Sequence, residues 1–313
     1  MPIRRLALTD FRNLASVDLS FGDGRTAVIG DNGQGKTNLV EAVAWLATGA
    51  SFRGVPTEAL VRTGADLFGP DDLTMVKGAP AERRRYLDDL LVAAHPINHG
   101  LVADLDRILR QRNALLRQSG GRATPEVLST LDVWDDKLTG VGDALGVARR
   151  DLVVALGPEV VAVLASLGGA DRPGLLRYEP EWLAGGLGPA LVAARQDDLR
   201  RGVTTVGPHR DDLVVELDGM PSRTHASQGE QRSLALALRL GGHRHLANHL
   251  GHEPVIVLDD VFSELDAGRA ARLVDLLPAA QVLVTAAGDL PPGVGADRVL
   301  RIADGLVVED SAT

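Results

Sequence analysis

Short apolar runs bounded by turn residues dominate both ends of the chain, whereas apolar positions recur at helical spacing through its middle. Runs of this length predict strands over residues 3–8, 17–21 and 25–29, which we expect to form one sheet. Continuous apolar runs at residues 253–260 and 281–285 are typical of strands buried on both faces of a parallel sheet. The pattern therefore predicts an α/β fold.

The middle of the chain, from residue 80 to about 167, predicts a set of helices. Separate helical patterns run over residues 101–118, 125–150 and 151–167. No heptad repeat is sustained over many turns, which excludes a long coiled coil. We therefore expect a helical lobe inserted into the α/β domain. The expected division is an N-terminal head part, the helical lobe and a C-terminal head part, over residues 1–79, 80–168 and 169–313.

Composition narrows the class of protein. The 313-residue chain has no cysteine, which excludes disulfides and thiolate metal sites. Its formal net charge of -9 argues against a protein that coats nucleic acid by charge alone, so any DNA contact must be local. The sequence shows neither a signal-peptide pattern nor an apolar run that predicts a membrane span. We therefore expect a cytoplasmic protein without a membrane partner.

The residues that follow the third strand match the phosphate-binding pattern G-x-x-x-x-G-K-[ST]. Its backbone N–H groups would surround phosphates, Lys36 would reach the β- and γ-phosphates, and the Thr37 hydroxyl would ligate Mg²⁺. The alternative is a glycine-rich turn that only resembles the pattern, but Asn38 and the apolar spacing behind it predict the required helix. The matching residues are Gly30, Asp31, Asn32, Gly33, Gln34, Gly35, Lys36 and Thr37, and together with Asn38 they are the candidate nucleotide-binding residues of this loop.

The apolar run at residues 253–260 ends in two carboxylates, Asp259 and Asp260. Ligands of parallel sheets bind at the carboxyl ends of the strands. Asp259 is thus placed to hold Mg²⁺ beside Thr37, and Asp260 to polarise an attacking water. The alternative is a strand end whose acids cap the next turn.

Residues 227–231 predict the N-terminus of a helix and a second candidate phosphate contact. Ser227 and Glu230 predict a capping box, which explains those two residues fully. Gly229 is not explained by capping, because glycine has poor helix propensity. It predicts that another molecule, such as a phosphate, approaches the helix N-terminus closely.

Two charged segments leave two interpretations open. Residues 207–212 suit a surface turn, yet their density of charge makes His209 and Arg210 candidates for a site contact. Arg107, Arg110 and Arg117 share one helix face. A solvated face with salt bridges is favoured there over a DNA-binding stripe.

Four elements in this order resemble the ATP-binding-cassette type of ATPase: the loop, Ser-x-Gly-x-Gln at 227–231, the acid pair, and Ser-Glu-Leu-Asp at 263–266. The resemblance implies that two subunits pack head to tail. Ser227, Gly229 and Gln231 of one subunit would then contact the nucleotide that Lys36 of the other holds. Within this superfamily the chain resembles the RecF family in residues 10–13, 30–38, 77–88, 207–212, 227–240 and 258–266.

The resemblance to the RecF family implies a function in recombinational DNA repair, replication restart and the SOS response. Expected cofactors are ATP and Mg²⁺, and expected partners are the RecO and RecR proteins and duplex DNA near single-strand gaps. An ATP-bridged homodimer with slow ATP hydrolysis would bind that DNA. The resemblance also assigns Arg12 to the nucleotide site, and it places Arg53 near the phosphates on less support.

Two other functions compete with a slow ATPase. The first is a nucleotide-gated scaffold that binds ATP and partners with little or no hydrolysis, because Asp260 is shorter than the Glu that many cassette ATPases use. The second is the ATPase subunit of a transporter. No histidine follows His252, which argues against the transporter.

The chain departs from the RecF pattern in one region. RecF proteins usually carry a β-rich stretch between segments like residues 58–65 and 67–73, which are almost fused here. We therefore expect the antiparallel sheet of the head to be shortened, either in a natural short form or by an internal deletion. Both alternatives affect the base end of the nucleotide site and expose a sheet edge unless something covers it.

Overall fold

A computed structural model of the chain describes residues 2–48, 65–69, 72–169, 173–291 and 293–312. Within these ranges, strands occur towards both ends of the chain and long helices in its middle, as the sequence predicts. They are, in chain order, β1 (Arg5–Phe11), β2 (Leu14–Ser20), β3 (Arg25–Ile29), α1 (Lys36–Thr48), β4 (Ala65–Phe68), α2 (Leu73–Lys77), α3 (Pro80–Ala94), α4 (Asn98–Ser119), α5 (Pro125–Leu164), β5 (Gly174–Arg177), α6 (Leu187–Arg201), β6 (Val214–Leu217), β7 (Met220–Pro221), α7 (Ser222–His225), α8 (Gln228–Leu250), β8 (Val255–Asp259), α9 (Ala267–Leu276), β9 (Val282–Ala286), β10 (Arg298–Ala303) and β11 (Leu306–Ala312).

The chain divides into two compact units. The head unit comprises Met1–Leu73, Glu159–Pro173 and Ala226–Thr313, and the lobe unit comprises Thr74–Pro158 and Gly174–His225. An inserted helical lobe is thus present, but these boundaries differ from the expected lobe at residues 80–168. The lobe unit takes in Gly174–His225 because β5, β6 and β7 form its own sheet and α6 contacts α4. Such long-range pairing cannot be read from helical periodicity.

The head unit contains a six-stranded sheet in the order β11-β10-β3-β9-β8-β4. Its strands are parallel except for β11, which pairs antiparallel with β10. The expectation that β1 and β2 share a sheet with β3 is wrong, because they form a separate two-stranded antiparallel sheet. Both edges of β3 are already hydrogen-bonded, to β10 on one side and to β9 on the other.

The core of the head unit lies between the two sheets and α1. Leu39, Val40 and Val43 of α1 are completely buried, and they pack with the apolar sides of β1 and β2 and of the large sheet. This packing fixes the start of α1 at the carboxyl edge of the sheet. The strands β3, β8 and β9 all end at that edge, so polar residues at their ends meet there.

The structure describes only part of the region in which the chain departs from the RecF pattern, residues 58–73. Residues 49–64 lie outside the described residues. They include Arg53 and most of the segment 58–65 that is almost fused to the segment 67–73. The following residues form β4, which pairs parallel with β8 at one edge of the large sheet. Apart from the β10–β11 hairpin, the antiparallel part of the described head consists of β1 and β2. An α/β head with a short antiparallel sheet is confirmed.

The lobe unit is built mainly from α3, α4, most of α5, and α6. The two helices expected over residues 125–150 and 151–167 are one helix of 40 residues, with Pro158 inside it. The expected boundary lies between Arg150 and Asp151, which are exposed and bonded to each other on the solvent side. Polar residues at the surface of a helix do not interrupt its backbone hydrogen bonds.

Helix α5 also bears on the expectation about membranes. Within the described part of the chain, one helix, Pro125–Gly168, is long and apolar enough to cross a bilayer by length and composition. The sequence had predicted no apolar run of that length. A single helix of this kind is weak evidence for a membrane, because a core helix passes the same test.

Candidate nucleotide-binding site

The loop between β3 and α1 adopts a glycine-dependent backbone. Gly30 has a φ of 153°, and a Cβ atom there would lie 2.2 Å from the backbone oxygen of Ile302. Gly35 has a φ of 113°, and its Cβ would lie 2.8 Å from Asn13 Oδ1. A Cβ on Gly33 would meet nothing within 4 Å. The glycines therefore let the loop close against the head on one side while it stays open on the other.

Lys36 is held inside the loop that precedes it. Its side chain is buried, and Nζ donates hydrogen bonds to the backbone oxygens of Gly30 at 2.7 Å and Asp31 at 2.9 Å. A buried ammonium group needs acceptors, and the loop carbonyls supply them. The positive charge is thus positioned inside the loop before any phosphate arrives.

Two neighbouring turns hold the loop from outside. Asn38 Nδ2 donates to Asn13 Oδ1 at 2.7 Å, and Asn13 Nδ2 in turn donates to the oxygen of Gly33 at 3.4 Å. Gln34 accepts backbone hydrogen bonds from the β10–β11 turn, on its own oxygen from Gly305 and on its side chain from Asp304. Sequence reasoning placed Gln34 on the nucleotide and missed the role of Asn13. Its position next to Arg12 in the motif at residues 10–13 was the available signal.

The end of β8 brings together residues that are far apart in sequence. Asp259 is buried, and its Oδ1 accepts hydrogen bonds from Thr285 Oγ1 at 2.6 Å and Thr37 Oγ1 at 3.3 Å. Thr285 also accepts a hydrogen bond from the backbone N–H of Asp260 at 2.9 Å. The structure therefore places Asp259 beside Thr37, as the sequence predicted. Thr285 was not among the predicted site residues. The one sequence signal for it was a polar residue near the end of an apolar strand.

Asp260 follows at the first residue beyond β8, with a φ of 54°. This left-handed backbone turns the chain into the short helix Val261–Glu264 and leaves the Asp260 side chain half-buried. Asp260 faces the same cavity as the loop. The cavity has a volume of about 380 Å³, within the usual range for small-molecule sites. It is lined by Asn13, Asn32, Gly33, Gly35, Lys36, Thr37, Asn38, Asp259, Asp260 and Thr285.

Arg12 lies in the turn between β1 and β2, with a φ of 58°. Its Nη2 donates to Oε1 of Glu41 at 2.8 Å, and the carboxylate of Glu41 is buried on α1. The Arg12 side chain itself remains 41% exposed. The pair holds Arg12 beside the helix that follows the loop, although Arg12 does not line the cavity.

The N-terminus of α8 forms the predicted capping box. Ser227 Oγ accepts from the backbone N–H of Glu230 at 3.3 Å, and Glu230 Oε2 accepts from the N–H of Ser227 at 2.7 Å. Ser227 is exposed, whereas Gln231 is buried. Neither of them, nor Gly229, lines the cavity around Lys36. The group that approaches Gly229 within the chain is the guanidinium of Arg269 on α9, 3.0 Å from where its Cβ would be.

Residues 207–212 form several hydrogen bonds within the lobe unit. His209 Nε2 lies 3.1 Å from the oxygen of Thr204, to which Arg210 Nη2 also donates at 2.9 Å. Asp211 accepts hydrogen bonds from Tyr178 at 2.5 Å and from Trp182 at 2.8 Å. These contacts connect His209 and Arg210 to Thr204 within the lobe unit, and their role as site contacts stays a prediction.

Burial changes two pKa values in this loop. The pKa of His209 falls to about 4, mainly because burial disfavours the imidazolium, with a smaller contribution from Arg210 and Arg84. Burial likewise raises the pKa of the Asp211 carboxyl, although its hydrogen bonds from Tyr178 and Trp182 oppose that change. His209 is therefore neutral at pH 7.

The arginine face of α4 is largely solvated. Arg107 pairs with Asp104 one turn before it, at 2.8 Å, and both side chains are exposed. Arg110 and Arg117 are also exposed. This arrangement favours the solvated face over a DNA-binding stripe.

Comparisons with known proteins extend this picture. A family described as an AAA domain matches residues 5–66. The DNA replication and repair protein RecF of Frankia alni is 39% identical over 383 aligned positions, which cover 99% of this chain and 100% of the relative. Because that alignment is longer than the chain, the relative has residues without a counterpart here.

Solved structures show the same likeness. Two structures of the recombination mediator protein RecF in the RecFOR pathway, RecF-ATPrS and RecF-ATP, match with TM-scores of 0.87 and 0.85 at 26% identity. The matches cover 99% and 97% of this chain and 98% and 96% of those chains. An Smc head domain from Pyrococcus furiosus matches with a TM-score of 0.54 at 16% identity over 99% of this chain and 96% of that chain, which shows the fold alone.

Proposed function

The chain belongs to the RecF family of DNA replication and repair proteins, and on that premise we propose that it binds ATP with Mg²⁺ in the cavity between the loop and the acid pair. One observation carries the proposal. Lys36, Thr37, Asp259 and Asp260 all line this single cavity, although they come from two distant parts of the sequence. The solved relative named RecF-ATP supports the identity of the nucleotide.

The residues of the cavity fit a magnesium nucleotide. Lys36 would exchange its bonds to the loop carbonyls for phosphate oxygens, and the open side of Gly33 leaves room for them. Thr37 and Asp259 supply the hydroxyl and the carboxylate that Mg²⁺ takes when phosphates complete its ligand set. Bound there, Mg²⁺ would offset the charge of the phosphates. Thr285 orients the Asp259 carboxylate through its hydrogen bond.

Asp260 is the proposed general base. It lies at the cavity wall, one residue beyond Asp259, and its backbone is fixed by the bond from its N–H to Thr285. Its carboxylate would orient a water and accept a proton during hydrolysis. Because Asp is one methylene shorter than Glu, we expect the hydrolysis to be slow.

Two copies of the chain would share each nucleotide. Ser227 and Gly229 do not line the cavity of their own chain, yet Ser227 is exposed at the N-terminus of α8, where backbone N–H groups favour anions. We propose that this end of one copy contacts the γ-phosphate held by Lys36 of the other. ATP then stabilises the dimer by mass action, and hydrolysis weakens it.

The dimer would act on DNA in the cytoplasm. We propose that it binds duplex DNA next to single-strand gaps and works with RecO and RecR proteins in recombinational repair and replication restart. The pathway named for the solved relatives supports these partners. No membrane partner is required.

Steady-state ATPase activity with and without gapped DNA tests the proposal. We expect slow turnover that gapped DNA stimulates, and its loss in Lys36→Ala, because the loop then lacks its cation. Lys137→Ala is the matched control, since Lys137 is an exposed lysine of the lobe unit. Turnover that DNA does not raise above the Lys36→Ala level would refute the ATPase. ATP-dependent dimerisation without turnover would instead identify a nucleotide-gated scaffold.

A further inference from the structure

Arg269 covers the glycine of the motif at the start of α8. A Cβ atom built on Gly229 would lie 3.0 Å from Arg269 Nη1, 3.3 Å from Nη2 and 3.4 Å from Cζ. These distances place the guanidinium as a whole against the backbone of the first turn of α8. Gly229, which capping does not explain, therefore makes room for an arginine of the same chain.

Asp266 holds Arg269 in this position. Its side chain caps α9 by accepting from the backbone N–H of Arg269 at 2.9 Å, and its other oxygen accepts from Arg269 Nη1 at 2.8 Å. The Arg269 side chain is 34% exposed, so it can still reach a group outside the chain. An arginine carries five N–H donors, and one ion pair with Asp266 leaves donors for a second anion.

Two carboxylates near this helix end oppose anion binding, and Arg269 is the cation beside them. Glu230 takes part in the capping box, and Asp266 caps α9, so two carboxylates lie near Gly229. Ser227 and the backbone N–H groups of the first turn contribute neutral donors and the helix dipole, while Arg232, just beyond that turn, lines a different cavity with Asp72 and Asp260. A γ-phosphate brought to this surface would be repelled by the two acids unless a full positive charge offset them.

We propose that Arg269 binds the γ-phosphate of the nucleotide held by a second copy of the chain, and so makes dimerisation selective for ATP over ADP. The inference rests on the proposed function, because it requires the shared nucleotide. It adds a cation to the hydroxyl of Ser227 and the backbone N–H groups that this side of the site brings. Asp266 keeps the guanidinium oriented before the copies meet, which lowers the cost of ordering it on binding.

Light scattering on an Asp260→Asn background tests this role, since slow hydrolysis keeps ATP in place. We expect Arg269→Ala to raise the ATP concentration for half-maximal dimerisation about ten-fold or more, the effect of losing one charge-assisted hydrogen bond. Arg269→Lys should recover part of that loss. The matched control is Arg272→Ala, one turn further along α9, where the guanidinium instead faces Leu167 at 3.4 Å.

Three further measurements separate phosphate binding from a structural role. Binding of a fluorescent ATP analogue to dilute monomer should be unchanged in Arg269→Ala, because Arg269 does not line the cavity of its own chain. The melting temperature without nucleotide should also be unchanged. Mixing Arg269→Ala with Lys36→Ala chains should restore ATP-dependent dimers, because each mixed pair keeps one complete site.

The outcomes distinguish the inference from the proposed function. If the Asp260→Asn parent forms no dimer with ATP, the shared site fails and the role of Arg269 fails with it. If the parent dimerises and Arg269→Ala does so at the same ATP concentration, only the inference is overturned. A lowered melting temperature in Arg269→Ala, with no recovery on mixing, would assign Arg269 a structural role instead.

Discussion

Thr285→Val removes one hydroxyl that connects both acids of the site. Thr285 Oγ1 donates to Asp259 Oδ1 at 2.6 Å and accepts from the N–H of Asp260 at 2.9 Å. Valine has nearly the same shape, so the substitution leaves no cavity in the sheet. It leaves the buried Asp259 carboxylate with one donor fewer and the Asp260 N–H without its acceptor.

The cost follows from those two bonds. Loss of a hydrogen bond to a charged group costs about 1.5–3 kcal/mol. The half-buried N–H of Asp260, left without its acceptor, adds a smaller cost. In activity, removal of a group that orients a metal ligand typically lowers metal affinity or turnover by about 10–100-fold. We therefore expect Thr285→Val to need at least about ten-fold more Mg²⁺ for half-maximal ATPase activity.

A magnesium titration of ATPase activity measures this effect. Thr285→Ser should stay close to the unmodified chain because it keeps the hydroxyl. Thr26→Val is the matched control, since Thr26 is a buried threonine of the same sheet that pairs with Leu283, two residues before Thr285. Equal magnesium dependence in Thr285→Val and the unmodified chain would refute the role of Thr285 in orienting Asp259.

Three more predictions concern the lobe unit and the loop. Arg112→Met should lower the free energy of unfolding of the lobe unit by about 3–5 kcal/mol, because the fully buried Asp198 then loses its ion pair at 2.7 Å. A decrease below about 1 kcal/mol in urea unfolding would contradict this. His209 has a folded-state pKa of about 4 against an ordinary 6.5, so the unfolded chain binds more protons between these values and stability should fall as the pH is lowered through that window. Unfolding measured from pH 7 to pH 4 should show this loss, up to about 3 kcal/mol, and His209→Gln should remove it; an unchanged slope would contradict the assignment. Gly30→Ala should weaken ATP binding at least about ten-fold in an equilibrium binding assay, because the new Cβ would lie 2.2 Å from a backbone oxygen of β10, whereas Gly22→Ala meets nothing within 4 Å and should bind normally.

Local signals in the sequence were sufficient for several parts of this site. The loop at residues 30–37, the two acids after an apolar strand and the capping box at Ser227 each depend on neighbours within a few residues. Backbone conformation and capping act over the same short range. The α/β class and the inserted lobe followed for the same reason, since apolar periodicity reports the local element directly.

Other features depended on which distant segments pair. Nothing in the sequence showed that β10 and β9 occupy both edges of β3, so β1 and β2 were assigned to the wrong sheet. The sequence of residues 207–212 left a surface turn and a site contact both open, because buried and exposed charges have the same composition. Their hydrogen-bond partners in the lobe unit became visible only in the tertiary structure.

The sequence itself thus determined the phosphate-binding loop at residues 30–37 and the acid pair. The tertiary structure decided which groups support them. Thr285 reaches Asp259 because β8 and β9 are parallel neighbours in register. Arg269 reaches Gly229 because α9 and α8 lie together at their N-terminal ends. Each contact joins residues that are separated along the chain, and their spacing in sequence carries no information about the packing that brings them together.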